Sequence, residues 1–209
     1  MYIYKLNNER GTLMKNYVIA IAREYASGAG EIAKKLSLEL GIKVYDKEMI
    51  SLAAKESGLA EAVVAETEQK RTNSFLYSVY MTSQVLPLSD QIFMTQSQIV
   101  KNLAKEESCI IIGRCAGHIL ADNPSCLKIF IHADMDDRIK RAKTQYGLAS
   151  DKPAEHLKKI DKQRAAYYKY FTEKAWNDVT NYDISINSSK IGIDEAVKII
   201  KEAALKMYL

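Results

Sequence analysis

The residues of this chain that could do chemistry gather where apolar runs end. The stretch AREYASGAGEIAKKL, residues 22–36, follows the run YVIAI and leads into a helical period. A strand that breaks at Ser27, Gly28, Ala29 and Gly30 and re-forms as a helix leaves backbone N–H groups aimed outward at the positive end of the helix dipole. That is an anion site, and side chains this small let a phosphate approach the backbone closely. The P-loop spacing G-x-x-x-x-G-K-[ST] is not met, because Glu31 follows Gly30 where the lysine should stand. A carboxylate there repels a triphosphate unless it turns away or reaches magnesium. Arg23, at the exit of the run, either folds back over the phosphates or pairs with Glu24 or Glu31.

Three further run ends carry polar chemistry. Asp46 closes IKVYD, and a carboxylate there serves either a substrate or the N-terminus of the next helix. Gly113 and Arg114 close CIII; an arginine directly after a buried strand packs inside with difficulty, and its planar fork suits either oxyanion oxygens or a structural ion pair. After LKIFIHA, Arg138 and Arg141 lie three apart on one helical face, and Asp161 and Arg164 repeat the spacing further on. Cys115 and His118 have the spacing of two metal ligands but no second pair, so a structural zinc is not expected. His132 and His156 have no recognisable nucleophile partner.

The elements that must position these groups alternate. Runs at 17–21, 42–46, 109–113, 127–132 and 182–187 are rich in β-branched residues and separated by amphipathic segments. Several are continuously apolar, as strands covered on both faces are, so an α/β fold with a mainly parallel sheet is predicted, its ligands at the carboxyl ends of the strands. Residues 51–71 read as two helices divided near Gly58, and Ser89 is the predicted N-cap of a long helix. Helices are also predicted over 134–147, 150–176 and 194–206. The second of these carries KKIDKQRAAYYKYFTEKAW, whose Tyr167, Tyr168, Tyr170, Phe171 and Trp176 read as packing residues more readily than as a base-stacking platform.

Composition narrows the function. Thirty basic against 26 acidic residues give a net charge of +4, too mild to indicate a nucleic-acid binder and suited to an anionic small molecule. Three cysteines without a C-x-x-C pair, and no signal-peptide pattern, predict free thiols and a cytoplasmic protein. No apolar stretch approaches the roughly 20 residues of a membrane span. Residues 1–13 have no clear period and precede Met14, so they are read as a disordered leader, with translation starting at Met14 as one explanation.

The ordered segments REYASGAGEIAKKL, YDKEMI, IIIGRCAG, KIFIHADMDDRIKRA, DKQRAAYYKYFTEKAW and NYDISINSSKIGIDEAV resemble the cytidylate kinase-like family, within the P-loop nucleoside monophosphate kinase fold. The resemblance implies a three-layer sandwich with a five-stranded parallel sheet, forming a single domain over 14–209. It implies a helical substrate lobe at about 47–107 and a helical lid at about 148–178. The implied activity is phosphoryl transfer from ATP, with magnesium, to CMP or dCMP. Arg23 and residues 27–31 would then face ATP, and Asp46, Gly113 and Arg114 the acceptor. Arg138, Arg141, Asp161 and Arg164 would serve the transferring phosphoryl, since basic groups on a closing lid reach it while excluding water. The chain departs from the family pattern in four places. Glu31 replaces the loop lysine, and Gly30 stands where many kinase-like members carry a basic residue. Ala33 replaces the metal-binding Ser/Thr, and Cys115 replaces the usual aspartate after Arg114. Leu157 and Lys158 fill the first half of the lid's R-D-x-x-D-x-x-R pattern. A nucleotide-binding protein with degraded catalysis is therefore the alternative; no set of magnesium ligands stands out.

Overall fold

The computed structural model describes residues 16–46, 48–58, 61 and 86–208. The leader at 1–13, and most of the second helix predicted beyond Gly58, lie outside the described residues.

Five apolar runs form strands: β1 (Val18–Arg23), β2 (Lys43–Tyr45), β3 (Cys109–Ile112), β4 (Cys126–His132) and β5 (Ile184–Asn187). All pair in parallel, in the order β2-β3-β1-β4-β5. Between them run α1 (Ala29–Leu40), α2 (Glu48–Ser57), α3 (Leu88–Glu106), α4 (Ala116–Ile119), α5 (Met135–Tyr146) and α6 (Pro153–Thr172), with α7 (Ser188–Ile191) and α8 (Ile193–Tyr208) closing the chain. A 3-10 turn spans Val179–Asn181.

Strand side chains alternate between two cores, which is why the runs are apolar at every position. Ile19 and Ile21 join Ile110, Ile112, Leu127, Ile129 and Ile131 beneath α1 and α8. Val18 and Ala20 join Cys109, Ile111 and Cys126 beneath α2, α3 and α4. The cysteines are thus core residues with free thiols, and burial pushes each of them up to about 12. On the central strand, Ala20 and Ala22 are small where the neighbouring strands carry isoleucine and phenylalanine. The room they leave opens toward the carboxyl end of the sheet.

Two element boundaries differ from the sequence expectation. α3 begins at Leu88 with Pro87 in the N-cap position, and Ser89 lies inside the first turn with its hydroxyl 3.2 Å from Asp90. Proline presets a helix-compatible φ and lacks the N–H that would go unsatisfied there, so it starts the helix ahead of the serine. α6 is shorter than predicted, running from the turn at Pro153 to Glu173, whose φ of +60° ends it. Its lysines 158, 159 and 162 are exposed, while Leu157 is fully buried against Ala26 and Ala142. Further along α6, Phe171 stacks on Phe93 of α3 with ring centroids 4.0 Å apart, and Tyr170 donates to Asp90 at 3.3 Å. The aromatic run therefore fastens α6 to α3.

Ile129 has no exposed surface and touches the core beneath α1 and α8. Ile129→Ala is expected to lower the unfolding free energy by about 2–5 kcal/mol, read as a lower denaturant midpoint at unchanged slope.

Candidate active site

The turn between β1 and α1 is held by its carbonyls. Arg164 donates to Arg23 O at 3.0 Å, Arg138 Nε to Tyr25 O at 2.8 Å, Arg141 Nη1 to Ala26 O at 2.7 Å, and the Ser188 hydroxyl to Ser27 O at 2.6 Å. The donors come from α6, α5 and α7, more than a hundred residues downstream. With those carbonyls turned outward and tied, α1 begins at Ala29 with Gly28 as its N-cap and no side chain capping its first amides. Its N-terminal N–H groups therefore remain available to an anion. Ser27 Oγ, beside them, is buried with no hydrogen-bond partner among the described residues.

Gly28 is required twice over at this turn. Its φ is +85°, and a Cβ there would lie 2.6 Å from Ile193 Cδ1 and 3.3 Å from the Arg141 guanidinium carbon. The chain thus folds α5 and the start of α8 against the back of the turn. Asp161 completes the support, accepting the Tyr25 N–H at 2.8 Å and pairing closely with Arg138. Arg138 also meets Glu24 at 3.2 Å, and its side chain is only 4% exposed. Buried cations persist only with such partners.

In front of the turn lies a cavity of about 450 Å³, at the carboxyl ends of β1 and β3 and under α6. Arg23, Arg114 and Arg164 line it, with Asp46 as the acidic side chain and Lys128 at the far side, 3.4 Å from Asp183. Arg23 holds Asp46 through Nη2, at 3.0 and 3.1 Å from the two carboxylate oxygens. Its Nη1 is buried without a hydrogen-bond partner among the described residues. Arg164 lies 5.6 Å from the centroid of the Tyr25 ring, and burial together with the nearby Arg23 charge lowers it to about 10. Among the described residues, two crowded guanidinium groups and an orphaned donor make the cavity lining cationic.

Most of the residues singled out in the sequence meet here, in different relations. Gly113, Arg114 and Cys115 carry φ of +76°, +55° and +54°, so the chain turns through three left-handed residues to bring Arg114 to the cavity. Such backbone is costly outside glycine and concentrates at functional sites. Arg23 pairs with Asp46, which is neither of the partners considered from sequence. Glu31 stands 3.7 Å from Lys35 one turn along α1, and Lys35 also binds Asp194 at 2.5 Å. Gly30 is exposed, and Ile32 and Ala33 are buried in the core. Arg138 and Arg141 grip the turn from behind and do not line the cavity; Arg164 reaches both.

Sequence reasoning missed Ser188, His118, Gln163, Lys128 and Tyr182 as parts of the site. The small polar cluster after β5 was a signal for Ser188. His118 drew notice only for its spacing from Cys115, and nothing local marked Gln163, Lys128 or Tyr182.

A parallel three-layer sandwich, with a small-residue turn leading into an uncapped helix after its central strand, defines a protein of the P-loop kinase fold. The model of the Cytidylate kinase-like family matches residues 18–190, and the chain belongs to that family. Over 98 residues it is 31% identical to a cytidylate kinase from Methanosarcina barkeri (strain Fusaro / DSM 804), a match covering 46% of this chain. The match spans about half of that relative, 54% of its length. The fold is similar to a crystal structure of an uncharacterized protein from Eubacterium ventriosum ATCC 27560, with TM-score 0.68, 29% identity, and 90% and 98% of the two chains covered. It is also similar to shikimate kinase from Acinetobacter baumannii in complex with shikimate, with TM-score 0.53, 10% identity and coverage of 94% and 97%. At that identity the likeness concerns the fold alone.

Asp161→Asn strands part of a buried charge. Because Glu24 still faces Arg138, the expected loss of stability is about 2–3 kcal/mol, below the ~3–5 kcal/mol of a fully abandoned ion, measured by denaturant titration. Gly28→Ala is expected to lower the unfolding free energy by about 1–3 kcal/mol, because its Cβ meets Ile193 Cδ1 at a strained φ and the turn must shift; denaturant titration checks it.

Proposed function

We propose that this protein transfers the γ-phosphoryl group of ATP to a nucleoside monophosphate, with CMP and dCMP the preferred acceptors. The observation that carries the reading is the cavity at the ends of β1 and β3, where Arg23, Arg114 and Arg164 converge beside the phosphate turn and Arg23 Nη1 has no hydrogen-bond partner among the described residues. Family membership supports the reaction class.

The residues present fit a polyphosphate. Ser27 Oγ and the first amides of α1 would hold its oxygens, and no side chain competes for those amides. Among the described residues no three His, Cys, Asp or Glu side chains converge as a metal cage. A magnesium ion carried on phosphates needs only one or two carboxylates beside its waters, so the donor set is compatible with it. When bound, ATP supplies the transferable phosphoryl group and magnesium spreads its charge.

The chain's own residues then divide the work. Arg114 would grip the acceptor phosphate by its fork, and Asp46 would hold Arg23 at the cavity wall. Arg164 stands between the loop and the cavity, placed to meet the negative charge that spreads over the equatorial oxygens in the transition state. Arg138, Arg141 and Asp161 act as positioning residues, holding the turn so that its amides need not reorganise. α6, fastened to α3 by its aromatic side chains, covers one side of the cavity, where it would limit the access of water to the transferring phosphoryl.

Glu31, in the place of the loop lysine, favours a second reading: a protein that holds nucleotides on the same fold without turning them over. A panel of CMP, dCMP, UMP, AMP and GMP with ATP and magnesium separates the two. Transfer predicts ADP formation dependent on CMP or dCMP. Arg114→Ala is expected to cut kcat/KM about a hundredfold, as the loss of a bidentate charged contact does. Thermal stabilisation by nucleotides with no ADP formed from any acceptor would establish the second reading instead.

A further inference from the structure

The cavity has two ends of different chemistry. Toward the phosphate turn it is cationic, at Arg23, Arg114 and Arg164. The opposite wall is largely aromatic, formed by Tyr167, Tyr168, Trp176 and Tyr182 together with His118 of α4, and the Lys128 ammonium beside it is paired with Asp183 at 3.4 Å. This wall is already organised. Phe130 lies behind it, edge-on to Trp176 at 5.2 Å and tilted against Tyr182 at 5.0 Å, and the Tyr182 hydroxyl donates to Trp176 O at 2.6 Å. Rings fixed in this way offer flat contact area at little entropic cost.

On that wall one polar atom stands apart. Nδ1 of His118 is buried and has no hydrogen-bond partner among the described residues. A buried ring nitrogen left without a partner costs free energy that a ligand group can recover. Burial, and next the Lys174 charge, lower the proton affinity of His118 and so favour the neutral imidazole. A neutral ring nitrogen exchanges hydrogen bonds with a neutral polar edge and gives no advantage to a second phosphate.

We propose that His118 reads the acceptor: through Nδ1 it hydrogen-bonds the polar edge of a flat, neutral heterocycle, a nucleobase, that lies against the aromatic wall while the acceptor's phosphate is held at the Arg114 end. The proposal rests on the acceptor occupying this cavity, as the kinase reading has it. It makes His118 a specificity residue, in contact with the ligand but not with the reacting phosphoryl. A polyol acid has the anion but neither the flat face nor the heterocyclic edge, so the wall selects against it.

Binding and turnover, measured separately, test it. Calorimetric titration of the full chain with CMP, UMP, AMP and GMP, and with ribose 5-phosphate as the same anion without a base, is expected to show at least one nucleotide bound about tenfold or more tighter than ribose 5-phosphate. His118→Phe keeps the ring and removes the nitrogen. It is expected to lower affinity for that nucleotide about tenfold, the size of one buried neutral hydrogen bond, and to leave ribose 5-phosphate binding within about twofold. His118→Asn, whose amide can stand in for Nδ1, is expected to recover most of the loss, which a merely structural role would not produce. Equal affinity of the wild type for ribose 5-phosphate and all four nucleotides overturns the inference, as does a folded His118→Phe that binds nucleotide like wild type. If base-dependent binding responds to His118 but no nucleotide is phosphorylated, the kinase reading fails and the inference stands. If transfer proceeds and the variants change nothing, the reverse holds.

Discussion

The site depends on four backbone carbonyls. Those of Arg23, Tyr25, Ala26 and Ser27 each accept a side-chain hydrogen bond from a distant helix, three of them from guanidinium groups. A turn this short would otherwise satisfy its polar groups with water and sample several conformations. Tying these four carbonyls to distant side chains leaves the α1 amides as its open functionality, with no cap from the Gly28 N-cap position. Arg138 and Arg141 are thus engaged with backbone, and their charge reaches a ligand only through the field they add behind the turn. Because Glu24 and Asp161 match the charge of Arg138, that field comes chiefly from Arg141.

The same constraint couples the layers. Asp161 of α6 takes both the Tyr25 amide and Arg138 of α5, and Leu157 fills the space between Ala26 and Ala142. The helix over the cavity, the helix behind the turn and the turn itself are therefore one packed unit. Polar atoms meet their partners along its edge, and a small apolar cluster seals its centre. In front of this unit the small side chains of Ala20 and Ala22 open the cavity, and the left-handed run at 113–115 delivers Arg114 into it. The two arrangements are complementary: one face of the turn is braced by distant side chains and the other borders the cavity.

The departures from the family pattern have physical consequences of different weight. Glu31 shares Lys35 with Asp194 along the surface of α1, so its charge is partly answered within the helix. Ala33 belongs to the core beneath the sheet, where its small size suits close packing of α1. Leu157, in the place of a charged lid residue, became the buried anchor of α6. Cys115 is also buried, its thiol pushed up to about 12 by that burial, and it fills space where the family pattern carries an acid.

What the sequence determined alone was everything set by local pattern. The five strands follow from continuous apolar runs, the parallel sheet from their coverage on both faces, and the turn into α1 from small residues between a strand and a helical period. Arg114 was legible because a charged residue directly after a buried strand has nowhere inside to go. What only the tertiary structure decided was partnership across long separations: Arg23 with Asp46, Arg138 with Glu24, Tyr25 and Asp161, Ser188 with Ser27, and His118 on the same cavity as Trp176 and Tyr182. Periodicity tells which face a residue occupies on its own element, because that is fixed by 2.0 or 3.6 residues per repeat. It says nothing of which distant face arrives opposite, and there burial turns one arginine into a brace and leaves another lining the cavity.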